Sequence, residues 1–499
     1  MLLPLIWPSL HAFLASFLVS VECATITGTT LQTIDGIGAS GAWWVNDIAN
    51  FPASVRQNLS DLLLSPSKLG LSNYRYNLGG GGVGVTTPDR APETPYVSDG
   101  VYNFSKDAAG TFFLQEAARH GVAQLTLFVN SAPSTMTSNG QSCGGTLITS
   151  RIPAYAQYIA DVVSHWDAQG VKITHVSTMN EPDNTFGGCG QEGMEVTPSQ
   201  RAQLILTTAK ALNAAGLSTM VIGDETSQVS LFESEAPTWL NTTVGVSLAG
   251  VAHHQYAFAS GQAQRTMAQL ALNLSGGTPS WSTEICCFVA ADSGQAGSPL
   301  AAMTYGGTYD PTIVGGLRMA VLIFQSLGDA QEPHWDFWTA VSNAIGSCDP
   351  SSGTSCLSKT NADGWNDGLI YYDPNFATTG FTSLFLSKRY HVLKHFTKSA
   401  LVGSVVRRTS LATTGTEANW RVLAFNTPGA RTLHAIVAMN GGTTASTLTI
   451  TGSGFTLPVP KSVVRTSASE DYVTITTPTL GNGSLAINAP ALSIYTIFF

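Results

Sequence analysis

The feature that most constrains the fold is a repeated alternation of short β-rich runs with amphipathic helical runs between Gln32 and His395. Such alternation is typical of βα units, whose strands lie parallel in one sheet. In the clearest unit, a helix with one apolar face ends at Gly170 and an apolar strand follows. Eight β-rich runs fit the pattern, at 34–40, 72–78, 125–131, 171–181, 220–224, 250–256, 281–284 and 334–339. Eight strands predict an α/β fold in which a (β/α)8 barrel closes.

The C-terminal part of the chain has a different pattern. Beyond about Ala400 the helical signal disappears, and alternating Val, Thr, Ile and Leu runs remain at 433–439, 446–450 and 492–497. These runs predict a β-sandwich. The segment 24–31 has the same character, so we expect it to add a strand to that sandwich. The predicted organisation is a leader at 1–23, a strand at 24–32, a barrel at 33–398 and a sandwich at 399–499.

The N-terminus and the overall charge bear on location and partners. Residues 1 to about 21 are almost uncharged and are followed by small residues near Cys23-Ala24 that suit a signal-peptidase cleavage site. This pattern is typical of a secretory signal, although the basic n-region is missing. No later run reaches the ~20 uninterrupted apolar residues of a membrane span. With a net charge of −9 and 11% charged residues, nucleic-acid binding is not expected. We therefore predict a secreted, extracellular monomer without a membrane span, and a neutral polymer as its partner.

Cysteine usage is consistent with secretion. Without Cys23, six cysteines remain, an even number that favours disulfides, and paired C-x-x-C spacing for zinc is missing. Cys348 and Cys356 are the best local pair, and Cys143 and Cys189 could cross-link two loops. The adjacent Cys286 and Cys287 are not expected to bridge each other easily, so the connectivity stays open. Five N-x-S/T sequons permit glycosylation, at Asn58, Asn103, Asn241, Asn273 and Asn482.

Two glutamates are the strongest candidates for chemistry. Asn180-Glu181-Pro182 closes one predicted strand, and Glu284 closes another 103 residues later. Strand ends converge on one face of a barrel, and a carboxylate pair there fits glycoside hydrolysis, with Glu181 as acid/base and Glu284 as nucleophile. The alternatives are a surface turn at Glu181 and a structural pairing of Glu284 with Arg75. A retaining enzyme needs the two carboxyl groups only ~5 to 5.5 Å apart.

Several tryptophans lie at or near predicted strand ends. A flat aromatic face can stack on the apolar face of a sugar ring. On this basis Trp44, Trp281 and Trp338 are predicted sugar platforms. Trp43 and Trp335 are equally compatible with packing in the barrel core.

Other polar strand ends have less direct roles. The pair His253-His254 could suggest a metal, but no third ligand at suitable spacing accompanies it. We expect no metal and no cofactor there, and instead a strand end at which Tyr256 orients Glu284. Asp224-Glu225 is expected to bind hydroxyls or to join the polar network of the barrel.

Beyond these residues, several motifs resemble glycoside hydrolase family 30, within a large clan of retaining barrel glycosidases. They are Asn180-Glu181-Pro182 with Thr283-Glu284, the opening at 34–44, the run 71–80 around Arg75, the run 129–136 around Asn130 and the run 388–396. The resemblance implies a retaining double displacement through Glu181 and Glu284. It also implies that Arg75 hydrogen-bonds near the nucleophile, and it adds Arg75, Asn130, Asn180 and Tyr256 as substrate-binding candidates. The run 285–288 after the nucleophile departs from the family pattern and implies a remodelled cleft rim.

The resemblance also suggests a substrate. The segments 41–44 and 75–77 look closest to fungal endo-β-1,6-galactanases of this family, so a β-1,6-galactan is the first choice. Relatives on the same scaffold handle xylan, β-1,6-glucan or glucosylceramide, because loops select the substrate. A glucuronic-acid-dependent xylanase would need a basic subsite that the sequence does not reveal. The alternative of another class is a carbohydrate-binding protein without turnover.

Overall fold

The computed structural model describes residues 21–291, 300, 302–412 and 420–499, so nearly all of the predicted leader lies outside the described residues. The first strand, β1 (Val21–Thr33), does not belong to the barrel. The next eight main strands close into a barrel in chain order, and all neighbours pair in parallel. They are β2 (Gly36–Ser40), β3 (Asn73–Asn77), β4 (Gln124–Phe128), β5 (His175–Ser177), β6 (Met220–Thr226), β7 (Leu248–His254), β8 (Ser280–Glu284) and β9 (His334–Phe337). All eight predicted strands are confirmed.

The longer helices surround the barrel. They are α1 (Ala53–Leu64), α2 (Ala108–Arg119), α3 (Ile152–Ala168), α4 (Pro198–Ala214), α5 (Val229–Trp239), α6 (Gly261–Ser275), α7 (Ile313–Phe324) and α8 (Lys388–Thr397). Their starts follow ordinary rules of helix chemistry. For example, α4 begins with a proline in its first turn and a capping box between Thr197 and Gln200. The face of α3 that periodicity predicted, including Tyr155, Ile159 and Trp166, is buried.

A nine-stranded sheet forms the second unit and confirms the predicted β-rich C-terminal domain. Besides β1, its strands are β10 (Val405–Ala412), β11 (Trp420–Asn426), β12 (Leu433–Asn440), β13 (Ser446–Ser453), β14 (Ser462–Thr466), β15 (Val473–Ile475), β16 (Ser484–Ala489) and β17 (Ser493–Phe498). Their order in the sheet is β15-β14-β17-β12-β11-β10-β1-β13-β16. The N-terminal strand β1 thus lies inside this sheet, antiparallel to β10 and parallel to β13.

The two faces of this sheet belong to different cores. In β11, Trp420 and Val422 pack into a core enclosed by the sheet itself. Leu423 and Phe425 point to the other face and join the core of the barrel. This alternation follows the two-residue period of a strand, and it docks the sheet firmly on the barrel.

One segment has the length and composition of a membrane span. It is 313–330, which joins α7 to a following turn of π-helix (Gln325–Ala330) and has a mean hydropathy of 1.3. The protein itself buries 72% of this segment. Its apolar side chains join the main core, as expected of an interior helix.

Candidate active site

Glu181 and Glu284 come together at the carboxyl ends of the barrel strands. Glu284 is the last residue of β8, and Glu181 follows β5. Both are buried, and one carboxylate oxygen of each lies within 4.8 Å of the other. Glu181 has a positive φ of 43°, which is unfavourable for a residue other than glycine, and its N–H is fixed by the carbonyl of Glu225 at 3.1 Å. The fold therefore holds this side chain in a specific, unusual position.

His254, the last residue of β7, links the two glutamates. Its Nδ1 lies 3.1 Å from Glu181 Oε1 and 3.6 Å from Glu284 Oε1, and its Nε2 lies 3.0 Å from Glu225 Oε2. Burial alone would lower the pKa of His254, but the carboxylates of Glu284, Glu181 and Glu225 outweigh burial and raise this pKa to about 10. His254 is therefore a charged imidazolium near neutral pH, with both N–H groups donating.

Burial has the opposite effect on Glu181. It raises the pKa of Glu181 above the ordinary value, and the hydrogen bond and charge of His254 offset only part of the rise. The nearby charge of Glu284 raises the pKa further. The surroundings of Glu181 thus favour its protonated form.

Glu284 is held by two donors, one on each oxygen. Arg75 Nη1 donates to Oε2 at 2.9 Å, and the Tyr256 hydroxyl donates to Oε1 at 2.8 Å. The expected orientation of Glu284 by Tyr256 is therefore confirmed. Arg75 is fully buried, with its guanidinium 4.3 Å from the ring centre of Phe128. Its prediction as a substrate-binding residue is wrong in that respect, because it reaches the site only through Glu284.

Asp224 and Glu225 belong to the polar network behind the site. Both have no exposed surface. Burial would raise the pKa of Glu225, but Arg75 and the hydrogen bonds from His254 and Thr283 lower it to about 2. Asp224 accepts from Arg201 at 2.7 Å. Asp224 and Glu225 thus join the polar network of the barrel, as expected. The other expected role, binding a sugar hydroxyl, is wrong, because neither side chain is exposed to the cleft.

The cluster of Glu181, His254 and Glu284 has atoms close enough to surround a metal ion, within 4.8 Å of one another. In the structure, each nitrogen of His254 instead pairs with a carboxylate, Nδ1 with Glu181 and Nε2 with Glu225, so the cluster forms a hydrogen-bonded network. The neighbouring His253 is turned away and contacts Glu332 at 2.5 Å.

A cleft of about 580 Å³ opens above the two glutamates. Predicted residues that line it are Asn130, Asn180, Tyr256 and Trp338. Trp338 and Trp43 meet edge to face, with ring centres 4.8 Å apart. Trp43, for which sugar binding and packing were equally compatible, thus lies in the cleft, whereas Trp335 is fully buried in the core.

Two predicted sugar platforms are wrong. Trp44 is 4% exposed, and its ring packs edge to face on Phe113 with centres 4.6 Å apart. Trp281 is 2% exposed and stacks on His334 inside the barrel, with centres 4.3 Å apart. Its ring occupies space next to Gly250, where a Cβ atom would come within 2.5 Å of it. Both rings therefore fill the core and cannot reach a sugar.

The cleft also contains residues that sequence reasoning missed. Tyr305 and Trp365 add two aromatic rings, whose centres lie 5.6 Å apart. Arg90 lies with its guanidinium 4.8 Å from the ring centre of Trp43, and Asp367 adds a carboxylate. These side chains come from loops that meet only in the folded barrel, so no local spacing in the sequence marks them.

Three disulfides are present among the described residues. Cys143–Cys189 and Cys348–Cys356 confirm the two predicted pairings. The third joins the adjacent Cys286 and Cys287 and corrects the expectation that they would not bridge. Cys287 has a positive φ of 62°, a backbone conformation that the sequence did not reveal. This bridge lines the cleft directly after Glu284, where the sequence departs from the family pattern.

Part of this chain is similar to known glycoside hydrolases. The family model of O-glycosyl hydrolase family 30 matches residues 21–247. An exo-β-1,6-galactobiohydrolase from Bifidobacterium longum subsp. longum is 24% identical in an alignment 223 residues long, and the match covers 32% of this chain and 15% of that protein. The alignment thus spans less than a sixth of that relative's length.

Two solved structures share the whole fold. A conserved exported protein from Bacteroides fragilis has a TM-score of 0.77 and 20% identity, over 96% of this chain and 100% of its own. The catalytic domain of a family 30 xylanase C from Talaromyces cellulolyticus has a TM-score of 0.67 and 22% identity, over 95% of this chain and 99% of that domain. At these identities the likeness concerns the fold, a barrel with a β-rich C-terminal domain.

Proposed function

We propose that this chain, in which residues 21–247 match the family model of O-glycosyl hydrolase family 30, is a retaining β-glycoside hydrolase that works by double displacement. The observation that carries the proposal is the distance between the two glutamates. An oxygen of Glu181 lies within 4.8 Å of an oxygen of Glu284. A retaining pair is separated by ~5 to 5.5 Å, whereas an inverting pair stands ~6.5 to 9.5 Å apart to admit a water.

In the first step, an oxygen of Glu284 attacks the anomeric carbon and forms a glycosyl–enzyme ester. Arg75 and Tyr256 suit this role, because their hydrogen bonds stabilise the carboxylate and fix its direction of attack. At the same time Glu181 gives its proton to the departing glycosidic oxygen. The raised pKa of Glu181 keeps that proton available.

In the second step, the ionised Glu181 takes a proton from water as the water attacks the anomeric carbon, and Glu284 leaves as a carboxylate. His254 has a positioning role in both steps. It holds Glu181 through an N–H donor at 3.1 Å and does not act as the base, because its own pKa is about 10.

We propose a polysaccharide as the substrate, with β-1,6-galactan first and endo cleavage as the mode. The support is the motif resemblance to endo-β-1,6-galactanases and the partial likeness to a protein named as an exo-β-1,6-galactobiohydrolase. An aromatic cleft also suits a row of sugars, since Trp43, Trp338 and Trp365 offer faces or edges along it.

We place the enzyme outside the cell, as a secreted monomer. Three disulfides favour an oxidising compartment. The apolar leader in the sequence and the exported protein with the same fold support the same location.

Product analysis tests the proposal. The purified protein is incubated with β-1,6-galactan, xylan, β-1,6-glucan and glucosylceramide, and we expect short galacto-oligosaccharides from the first. Glu284→Gln should abolish release, whereas Glu93→Gln, which changes an exposed carboxylate paired with Lys106, should keep it. Binding without release from any of the four would favour the carbohydrate-binding alternative.

The stereochemistry is tested separately. Proton NMR of the first product should show the β-anomer before mutarotation. An initial α-anomer would overturn retention, whichever polymer is cleaved.

A further inference from the structure

A groove between the barrel and the C-terminal sheet concentrates positive charge in an acidic protein. The chain has 23 Lys and Arg against 32 Asp and Glu. The groove, of about 330 Å³, nevertheless brings Arg265, Arg408 and Arg421 together, and Asp329 is the single acid among the described residues that line it. No described residue lines both this groove and the catalytic cleft.

Strand geometry places two of these arginines on one surface. Arg408 in β10 is two residues from Val406, and Arg421 in β11 is two residues from Leu423. Val406 and Leu423 both pack into the barrel core, so the arginines share the barrel-facing side of the sheet. Arg407 also lines the groove, but its guanidinium is already engaged, because it donates to Asn426 and lies over the ring of Phe455.

The opposite wall comes from the barrel. Arg265 in α6 and Asp329 in the π-helical turn form a loose ion pair with a separation of 3.9 Å. Asp329 also faces Arg421, since both arginines lower the pKa of this carboxyl, although burial raises it more. One carboxylate thus serves two guanidinium groups, and Arg408 has no ion pair among the described residues.

Arg421 is compensated only by the shared charge of Asp329. Burial lowers its pKa, and Asp329 offsets this only in part. Within the described part of the chain, it has no hydrogen-bond partner. The half-buried guanidinium lines the groove, and an oxyanion that accepts two parallel hydrogen bonds is its natural complement.

The remaining lining suits a sugar ring. Leu31, Leu411 and Phe324 give the groove apolar surface beside the guanidinium groups. Its volume is at the lower end of the range for small-ligand pockets. A ligand with a compact ring, one apolar face and a carboxylate would satisfy both parts of the lining.

We propose that this groove is a second, non-catalytic binding site for a uronic acid unit of an acidic polysaccharide, with its carboxylate on Arg408 and Arg421. The sugar part of this assignment rests on the proposed function, whereas the anion site rests only on the groove. Such a site would hold the enzyme on acidic wall polymers while the cleft works on a neutral one.

Calorimetric titration of the full chain with digalacturonate tests the site without requiring hydrolysis. We expect binding to the wild type, a loss of about tenfold or more in affinity for Arg421→Gln and for Arg408→Gln, and no binding of neutral galactobiose at the groove. Arg431→Gln is the matched control, because Arg431 is exposed in the loop between β11 and β12 and lies outside the groove. Hydrolysis of a short soluble substrate should be unchanged in all three variants.

Three results would overturn the proposal. The first is no binding of digalacturonate to the wild type. The second is an equal loss in all three variants, which would indicate diffuse charge attraction. The third is inorganic phosphate binding as tightly as digalacturonate, which would leave an anion site without a sugar. Because binding is measured directly, a failure here is distinguishable from an inactive catalytic cleft.

Discussion

Replacing His254 with glutamine should move the alkaline limit of activity to higher pH. The change removes the imidazolium that lies 3.1 Å from Glu181 and leaves the burial that raises the pKa of Glu181. A hydrogen bond from a charged donor is worth about 1.5–3 kcal/mol, and one pKa unit corresponds to about 1.4 kcal/mol. The pKa of Glu181 should therefore rise by about one to two units.

The sign follows from the role of Glu181. As the general acid it must be protonated, so activity falls when rising pH removes its proton. A higher pKa in the variant moves that fall to higher pH by about one to two units. The maximal rate should also drop, because Glu225 and Glu284 lose their shared cation.

The assay is kcat/KM against pH with a substrate whose leaving group is poor, because only such a substrate needs the proton. His175→Gln is the matched control. His175 is also buried in the barrel, its pKa is lowered to about 4 by burial, and it makes no hydrogen bond to either glutamate in the described structure. An alkaline limb that stays in place or moves down in a folded His254→Gln variant would refute the reasoning.

Two further predictions concern the cleft and the core. Trp338→Ala should raise KM about tenfold with a smaller effect on kcat, since the ring lines the cleft. Trp335→Ala should leave KM unchanged and lower the free energy of unfolding by about 3–5 kcal/mol, because this ring is buried in the core. Thermal stability should fall as pH rises from 4.5 to 8, because burial raises the pKa of Glu192 to about 8 and the folded state keeps a proton that the unfolded chain releases. The melting temperature of Glu192→Gln should depend less on pH over this range, and an equally steep dependence would contradict that assignment.

The barrel could be predicted because each strand has its own signal. A parallel strand is buried on both faces and is flanked by helices, so apolar runs alternate with amphipathic ones and give eight countable units. The same reasoning located Glu181 and Glu284, since strand ends share one face whatever their separation in sequence. The N-terminal strand was recognised because its β-rich pattern matches the C-terminal runs.

The errors have a common physical cause, which is that the sequence around a residue does not determine the direction in which its side chain points. Trp43 and Trp44 are neighbours, yet one lines the cleft and the other packs on Phe113. Trp281 is in the same strand as Glu284, but its ring fills space beside Gly250 in the adjacent strand. Such choices depend on residues distant in sequence, so no local pattern could decide them. The same applies to Arg90 and Tyr305, which come from separate loops.

The position of β1 in the middle of the C-terminal sheet has a consequence for biosynthesis. This strand is made before the barrel, whereas its two neighbours, β10 and β13, are made after the barrel. Until β10 and β13 have been made, β1 has no partner and carries unpaired edges that other chains could capture. The barrel can start to form during synthesis, whereas the C-terminal sheet must wait until the segments on both sides of the barrel have been made. A ribosome that stalls after the barrel would therefore release a chain with an exposed strand, a natural target for quality control.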